Sequence, residues 1–285
     1  MTWQTWLLLV CTAAIMAGQS ASESDAAVCN HKNDAIDDAS AGAKQLPFVV
    51  RLHLIRHGET EANVNHIVLG QGDSPLTDDG LALAVRASQS DNFTRGFWRY
   101  YCSDLKRAHR SAKLVLGMED AESNELNSKV DLIVDTRLRE VAKGAREGHP
   151  KSFSLEEAVI ARKKSGSDIP KLETLEEAFH RVEEWISSLI EEANKEYQSQ
   201  TNCDARETED RRIYDVFALT HSALIRTTIQ KMVGSELPDD YTRTSEGSLA
   251  IPNLSKTIID ILPAFDAGQD IRWEARLVKL TECLD

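Results

Sequence analysis

The sequence predicts an α/β fold, a three-layer sandwich in which helices cover both faces of a mostly parallel central sheet. Two observations lead to this prediction: short apolar runs alternate with amphipathic stretches from Pro47 onward, and hydrophobic residues make up 41% of the 285-residue chain. Alternating strands and helices are typical of parallel sheets, because each crossover between parallel strands places a helix on one face. The apolar content is sufficient for one sizeable core.

The first strand is predicted at residues 48–55, where an apolar run suits a strand buried on both faces. Thr77 is predicted to cap a helix, because two acidic residues follow it in the first turn. Apolar residues recur at three- and four-residue steps over 175–189 and predict a long amphipathic helix. The remaining predicted elements are strands at 97–102, 132–134, 215–220, 257–262 and 271–280, and helices at 105–116 and 224–233.

Residues 1–20 are predicted to be a secretory signal peptide. Residues 6–17 form an apolar core that is too short to span a bilayer comfortably, and small residues suited to cleavage follow. The segment has no Lys or Arg, which leaves an uncleaved membrane anchor as the alternative. We expect the mature protein in the secretory pathway or outside the cell, without membrane contact after cleavage. A flexible linker at 21–45 is expected to precede one domain at 46–285.

Two sequons fit a secreted glycoprotein, Asn92-Phe93-Thr94 in a polar stretch and Asn253-Leu254-Ser255 directly before an apolar strand. We expect Asn92 to be the better acceptor, because Asn253 can be too buried. Signal cleavage would leave four cysteines, for which three complete pairings exist. Cys102 is predicted to be a buried free thiol, and a Cys203–Cys283 bridge is the pairing that we favour.

The charge balance limits the class of partner. A net charge of −13 argues against a nucleic-acid partner and against an anionic membrane surface. It does not argue against a small anionic substrate, because a local cluster of Arg and His can oppose the global field. The oligomeric state does not follow from the sequence.

Two predicted strands end in a histidine. Arg56-His57-Gly58 follows the first strand, and His221 follows the strand at 215–220 just before a helix. If these strands are parallel neighbours, both imidazoles lie at the sheet edge where open α/β sheets bind ligands. There Arg56 can form a bidentate contact with a phosphate while an imidazole faces the phosphorus atom.

Two further residues are predicted at the same edge. Arg107 begins the helix after the strand at 97–102, and Glu140 follows the strand at 132–134. Two imidazoles, two guanidiniums and one carboxylate form a site for a tetrahedral dianion with a leaving group to protonate. Each residue also has a structural interpretation when taken alone: Arg107 on a solvated helix face, Glu140 in a surface ion pair, and His221 as a core histidine.

Several motifs together resemble the histidine phosphatase superfamily, in the branch that contains cofactor-dependent phosphoglycerate mutases and fructose-2,6-bisphosphatases. The resemblance covers roughly residues 47–280. Ser222 departs from it, because the family usually has glycine at this position beside the phosphate. The motifs are Arg56-His57-Gly58-Glu59-Thr60 with Asn63, the loop at 70–80, Ser103-Asp104-Leu105-Lys106-Arg107-Ala108, Leu138-Arg139-Glu140 with Gly144 and Glu147-Gly148, and Thr220-His221-Ser222.

The resemblance implies a phosphoglycerate mutase-like fold and a role for each site residue. His57 would be the nucleophile that becomes a phosphohistidine. Arg56, Arg107 and the second catalytic histidine, His221, would hold the phosphoryl oxygens and neutralise charge. Asn63 would add a hydrogen bond, and Glu140 would protonate the leaving alcohol and then help to activate water. No metal or cofactor is implied, because arginines and imidazoles supply the positive charge.

Hydrolysis of a small phosphomonoester is the expected reaction. Mutases of the family that this chain resembles carry a longer insert after the acid-bearing loop. Here the span from Gly148 to Glu173 is short, so water should reach the phosphohistidine. A phosphoglycerate-type phosphomutase and a non-catalytic phospho-ligand-binding module on the same fold are the alternatives. Glu59-Thr60 and Ser222 disfavour the acid phosphatase and phytase branch.

The segment at 148–172 is predicted to be a lid that contacts the leaving group. Its basic residues favour a polyanionic or phosphosugar substrate, with a solvated basic face as an equal alternative. These residues are Lys151, Arg162, Lys163, Lys164 and Lys171.

Overall fold

The computed structural model describes residues 44–90, 93, 96–118, 130–201, 211–234, 249–265 and 271–282. The predicted signal peptide, most of the predicted linker, the sequon residue Asn92 and three of the cysteines (29, 203 and 283) lie outside these ranges. Within them, no helix is both long and apolar enough to cross a membrane.

Seven strands form one sheet in the order β1-β6-β2-β5-β3-β4, with β7 paired to β6. Each strand predicted from the sequence is present, with bounds that differ by a few residues. β1 falls within the segment predicted to be linker. The strands are β1 (Lys44–Gln45), β2 (Phe48–Arg56), β3 (Arg99–Cys102), β4 (Leu132–Val134), β5 (Arg212–Thr220), β6 (Lys256–Phe265) and β7 (Ile271–Glu282).

Six helices accompany the sheet in the described part of the chain, and two of them were not predicted. These two, α1 and α4, both begin with a capping box, formed by Thr60 with Asn63 and by Ser154 with Glu157. The helices are α1 (Glu61–Val64), α2 (Asp78–Ala87), α3 (Lys106–Val115), α4 (Leu155–Ser165), α5 (Leu175–Thr201) and α6 (Ser222–Val233).

The sheet is mixed rather than mostly parallel. β2, β5, β3 and β4 are parallel, whereas β6 pairs antiparallel with β1, β2 and β7. Five residues separate β6 from β7, which is too short for the crossover that a parallel pair requires. The antiparallel pairs all lie on one side of the sheet, and the parallel side carries the predicted site residues.

Helices cover both faces of the sheet, which confirms the three-layer sandwich. On one face, α5 and α6 pack on Val50, Leu52 and Leu54 of β2, and the fully buried Trp185 belongs to this core. On the other face, α2 and α3 pack on Ile55 together with Phe217 and Leu219 of β5, because successive side chains of a strand point to opposite faces. Buried Cys102 lies in this second core as a free thiol, as predicted, and burial raises its pKa to about 12.

Candidate active site

The register between β2 and β5 brings the two histidines together. Arg56 pairs with Thr220 across the parallel strands, and the His57 amide donates to the Thr220 carbonyl at 3.0 Å. His57 and His221 therefore follow one another across the same sheet edge, with ring centroids 5.2 Å apart. Both side chains are buried, at 3% and 0% exposure.

The neighbours of His57 determine which ring nitrogen is free to react. Nδ1 lies 2.7 Å from the Gly58 carbonyl oxygen, which can only accept, so Nδ1 carries the proton. Nε2 is then the acceptor, and Arg107 Nε donates to it at 3.3 Å. Burial, followed by the charges of Arg107 and Arg56, lowers the pKa of His57 well below its usual value. The result is a neutral imidazole with its Nε2 lone pair turned toward Arg107.

His221 is the N-cap residue of α6 and contacts the loop after β3. Its Nε2 lies 2.9 Å from the Ser103 hydroxyl, whereas its buried Nδ1 has no hydrogen-bond partner within the described residues. Burial, followed by Arg107 and His57, lowers the pKa of His221 well below its usual value. A buried polar atom without a partner calls for an explanation, and a bound ligand would supply one.

The two arginines are held by backbone carbonyls. Arg107 is in the first turn of α3 and donates to the carbonyls of Gly72 at 2.5 Å and Gly70 at 2.8 Å. Arg56 donates to the Ile251 carbonyl at 2.6 Å, while its buried Nε has no partner within the described residues. Burial lowers the pKa of both arginines; that of Arg56, at about 10, still leaves its guanidinium charged at neutral pH.

Glu140 is in the segment between β4 and α4 and reaches the N-terminus of α6. Its Oε1 accepts from the amides of Val141 at 2.9 Å and Leu224 at 3.0 Å, and its Oε2 accepts from the Ala223 amide at 3.1 Å. Because His221 is also the N-cap residue of α6, one helix N-terminus orients both the second histidine and the carboxylate.

A cavity of about 340 Å³ brings most of the predicted site residues together. Arg56, His57, Asn63, Arg107 and Glu140 line it, whereas His221 does not line it and lies beside His57. The described residues contain no group of three or more His, Cys, Asp or Glu side chains that could hold a metal ion.

The basic residues at the mouth of the cavity differ from those predicted. Of the lid residues, only Lys151 lines the cavity, where it joins Lys143, Arg146 and Arg226. Arg162 instead donates to the carbonyls of Ala145, Glu147 and Asp168, and Lys171 pairs with Glu177. Lys163 and Lys164 are exposed on α4. Three of the five lid cations are thus on α4, and none of these three lines the cavity. The charge at the mouth comes mainly from Lys143 and Arg146 in the loop before α4 and from Arg226 on α6.

Glu147 stabilises the acid-bearing loop at 138–148 by accepting a hydrogen bond from its backbone. Its Oε1 accepts from the amides of Gln71 at 3.1 Å and Lys143 at 2.8 Å. Gly70 has a positive φ of 53°, and a Cβ atom there would overlap the Glu147 carboxylate. Glu147 therefore joins the loop that holds Arg107 to the loop that holds Glu140, without lining the cavity.

Arg181 on α5 holds the same loop from another side. Its guanidinium donates to the Arg137 carbonyl at 2.6 Å and to the Arg139 carbonyl at 3.3 Å, and it pairs with Glu173 through two bonds of 2.7 and 2.9 Å. Glu173 in turn accepts from the Ala142 amide at 3.0 Å. The backbone on both sides of Glu140 is thus fixed by one ion pair.

Sequence reasoning missed several residues that contact the site. Ser103 belongs to the motif at 103–108, but its contact with His221 joins residues 118 apart in the chain. Arg226 is one of several polar residues on α6, and nothing in its spacing marks it. The sequence marks Asn253 only as a sequon residue, whereas its side chain donates to the His57 carbonyl.

A comparison with protein-family models matches residues 52–260 to the histidine phosphatase superfamily, branch 1. The chain belongs to this superfamily. The match includes every residue predicted for the site.

Curated relatives of the chain include both phosphatases and mutases. It is 32% identical over 200 residues to the fructose-2,6-bisphosphatase TIGAR B of Danio rerio, a match that covers 64% of this chain and 74% of the relative. It is also 32% identical over 159 residues to the TIGAR protein of Xenopus tropicalis, covering 52% of this chain and 54% of that one. A probable phosphoglycerate mutase, GpmB of Yersinia pestis, is 30% identical over 50% of this chain and 64% of its own length.

Solved structures of the superfamily share the fold. A mycobacterial glucosyl-3-phosphoglycerate phosphatase in complex with VO3 aligns with a TM-score of 0.51 and 25% identity, over 81% of this chain and 98% of that one. A phosphoglycerate mutase of Bacillus anthracis aligns with a TM-score of 0.50 and 25% identity, over 80% of this chain and 93% of that one. The phosphoglycerate mutase-like fold is therefore confirmed.

Proposed function

We propose that the protein hydrolyses small phosphomonoesters through a phosphohistidine intermediate on His57. The observation that carries this proposal is the tautomer of His57, because the Gly58 carbonyl holds the proton on Nδ1 and leaves a lone pair on Nε2. The low pKa of this buried ring keeps the nucleophile unprotonated at neutral pH. The Nε2 atom attacks phosphorus, a P–N bond forms, and the P–O bond to the leaving alcohol breaks.

The positive charge around His57 suits the transition state of this step. Arg56 Nε and His221 Nδ1 are buried donor positions without partners in the described residues, and Arg107 already donates to the reacting nitrogen. Phosphoryl oxygens entering the cavity would accept from these groups, and the charge that spreads over them would be neutralised. Preorganised donors of this kind typically contribute about 10²–10³-fold each in rate.

Glu140 is the proposed proton donor to the leaving alcohol. It lines the cavity on the side of Lys143 and Ala223. After the alcohol departs, the Glu140 carboxylate takes a proton from the attacking water, the P–N bond breaks, and inorganic phosphate leaves with His57 neutral again. Each half-reaction is therefore balanced by one proton transfer at this carboxyl group.

The proposed substrate carries a second anionic group on a small, sugar-like skeleton. The relatives named fructose-2,6-bisphosphatase and glucosyl-3-phosphoglycerate phosphatase support this class. The four cations at the mouth of the cavity also support it, because charge-assisted hydrogen bonds to a second phosphate or carboxylate would orient the leaving group toward Glu140.

Turnover of a phosphate-ester panel in the presence of EDTA tests the proposal, with the His57→Ala variant as control. We expect steady release of phosphate in EDTA, the incorporation of one ¹⁸O atom per phosphate from labelled water, and a loss of about four orders of magnitude or more in the variant. Transfer of the phosphoryl group to a second hydroxyl of the substrate, in preference to water, would instead identify a mutase. Saturable phosphate binding with no turnover would identify a non-catalytic binding module.

We further propose that the protein enters the secretory pathway, on the strength of its N-terminal sequence. Mature protein exported by a eukaryotic cell should begin near Ala21 or Glu23, as determined by N-terminal sequencing. An exported protein that retains Met1 would favour the membrane-anchor alternative.

A further inference from the structure

The loop at 251–255 lies along the end of β2 that carries the proposed nucleophile. The Leu254 amide donates to the Arg56 carbonyl at 3.1 Å, and the Arg56 amide donates to the Ser255 carbonyl at 3.2 Å. The Ile251 carbonyl accepts from the Arg56 guanidinium at 2.6 Å. The backbone at the start of the nucleophile loop is therefore fixed by this segment as well as by the neighbouring strand.

Within this loop, Asn253 reaches two polar atoms of the site. Its Nδ2 donates to the His57 carbonyl at 2.9 Å and to the Asn63 side-chain oxygen at 3.4 Å. The same Asn63 oxygen accepts from the Thr60 amide at 3.2 Å, and a backbone amide can only donate. Its neighbours therefore assign the oxygen of Asn63, and the Asn63 NH₂ group becomes the end available to a ligand in the cavity.

Asn253 is also the acceptor residue of the second sequon. An N-linked glycan would replace one of the two N–H donors of Nδ2, and both are used, one by the His57 carbonyl and one by Asn63. The Asn253 side chain is half-buried, so a glycan would also have to displace part of this loop. The two hydrogen bonds and N-glycosylation therefore require the same atom, Asn253 Nδ2.

We propose that Asn253 is a positioning residue of the phosphatase, which holds the Asn63 amide and the His57 backbone for phosphoryl transfer, and that it carries no glycan in the active enzyme. This inference rests on the proposed function of the site. It assigns to the sequon a role in catalysis in place of a role as glycan acceptor.

Kinetics of the Asn253→Asp variant test the positioning role. The substitution keeps the shape of the side chain but places a carboxylate oxygen against the His57 carbonyl and the Asn63 oxygen. We expect kcat/KM to fall about 10–100-fold, equally for alkyl and activated aryl phosphates, because the contact acts on the phosphoryl group and not on the leaving group. In an Asn63→Ala background the same substitution should cost several-fold less, since part of its effect passes through Asn63.

The matched control is Asn92→Asp, the same change in the other sequon, which should leave kcat/KM unchanged. An Asn253→Asp variant that keeps wild-type kcat/KM while the wild type is active would refute the positioning role alone. A wild-type protein without turnover would instead refute the proposed function.

Glycan mapping tests the second part of the inference on the wild-type chain and does not depend on any variant folding. The protein is secreted from a eukaryotic host, and its active fraction is treated with an amidase that converts glycosylated Asn to ¹⁸O-labelled Asp in labelled water. We expect Asn253 to remain unlabelled in that fraction. Quantitative labelling at Asn253 in protein with full kcat would overturn the inference.

Discussion

The two halves of the site are held in place by different means. In the nucleophile half, His57 and His221 follow two parallel strands, and the backbone register of those strands fixes their positions. In the acid half, Glu140 sits on an irregular loop that depends on side-chain contacts from Arg181, Glu173 and Glu147. Sheet hydrogen bonds define the first half, and a few ion pairs and loop contacts define the second.

The two halves should therefore differ in which substitutions change the catalytic activity. Strand register changes only if a whole strand slips, so the nucleophile half should respond mainly to substitutions of the groups that touch the phosphoryl oxygens and of Asn253, which holds two of them. The acid loop should also respond to substitutions of residues that never touch substrate. The leaving-group side is thus the part of the site in which substrate preference can change without loss of the nucleophile.

The largest effect expected in the acid half comes from Glu140→Gln. An acid catalyst matters in proportion to how poor the leaving group is, because a good leaving group departs without a proton. The variant should therefore lose about two to four orders of magnitude in kcat with an alkyl phosphate and far less with an activated aryl phosphate. Glu147→Gln is the comparison variant: it loosens the same loop without removing a carboxylate from the cavity, so its dependence on the leaving group should be much weaker than that of Glu140→Gln.

If the dependence on leaving group appears in the Glu147 variant and not in the Glu140 variant, the acid is misassigned between them. If neither variant shows it, the proton comes from another group, and His221 is the next candidate to test.

Arg181→Gln should give a smaller effect of the same kind. Loss of its bonds to the Arg137 and Arg139 carbonyls should loosen the backbone beside Glu140, so we expect about a tenfold loss in kcat with alkyl phosphates and little loss with aryl phosphates. Arg99→Gln is the control, because it removes an ion pair to Glu192 on the same helix, away from the acid loop. Equal losses with both classes of substrate in the Arg181 variant would mean that the ion pair stabilises the fold only.

Removing one cation at the mouth should change binding more than chemistry. Arg226→Gln is expected to raise KM about tenfold for a sugar bisphosphate and to leave KM for a simple aryl phosphate within about twofold, because only the bisphosphate has a second anion. Lys164→Gln, on the exposed side of α4, should change neither KM. A KM increase of the same size for both substrates would show that Arg226 serves the reacting phosphoryl group.

The last prediction concerns stability, because the two histidines of the nucleophile half are buried. The pKa values of His57 and His221 are lowered in the folded protein, so as pH falls below about 6.5 the unfolded chain gains protons that the folded chain does not bind. Stability is therefore retained above this pH and lost below it, by up to about 1.4 kcal/mol per pH unit for each histidine. Denaturant unfolding of wild type and His221→Asn should give a shallower acid loss in the variant, and identical slopes would contradict the assignment.

Sequence patterns predicted the nucleophile half well because that half follows from strand order. A buried apolar run before Arg56 and another before His221 are strong local patterns, and parallel pairing then places their ends together. The resemblance to the superfamily supplied the order of the remaining residues. The antiparallel side of the sheet was not predicted, because pairing direction depends on connection length and not on the composition of a strand.

The acid half was harder to predict because its contacts join distant parts of the chain. The contact of Arg181 with the Arg137 carbonyl spans 44 residues, and the contact of Glu140 with the Leu224 amide spans 84. No periodicity encodes a side chain that donates to a loop carbonyl. The helix α4, in contrast, has recognisable sequence signals at both ends. Ser154 and Glu157 form a capping box at its start, and Gly166 is its C-cap residue. These signals predict that most lid cations lie on the surface of a helix.

Rapid-quench trapping of the phosphoenzyme shows whether His57 is the nucleophile. The wild type and Glu140→Gln are mixed with a ³²P-labelled activated aryl phosphate, quenched in base within milliseconds, and the label is mapped by peptide mass spectrometry. We expect an acid-labile, base-stable phosphate on His57 that accumulates to a higher level in the variant, because the second half-reaction lacks its proton acceptor. Label on another residue, or turnover without any covalent phosphate in either protein, would contradict it.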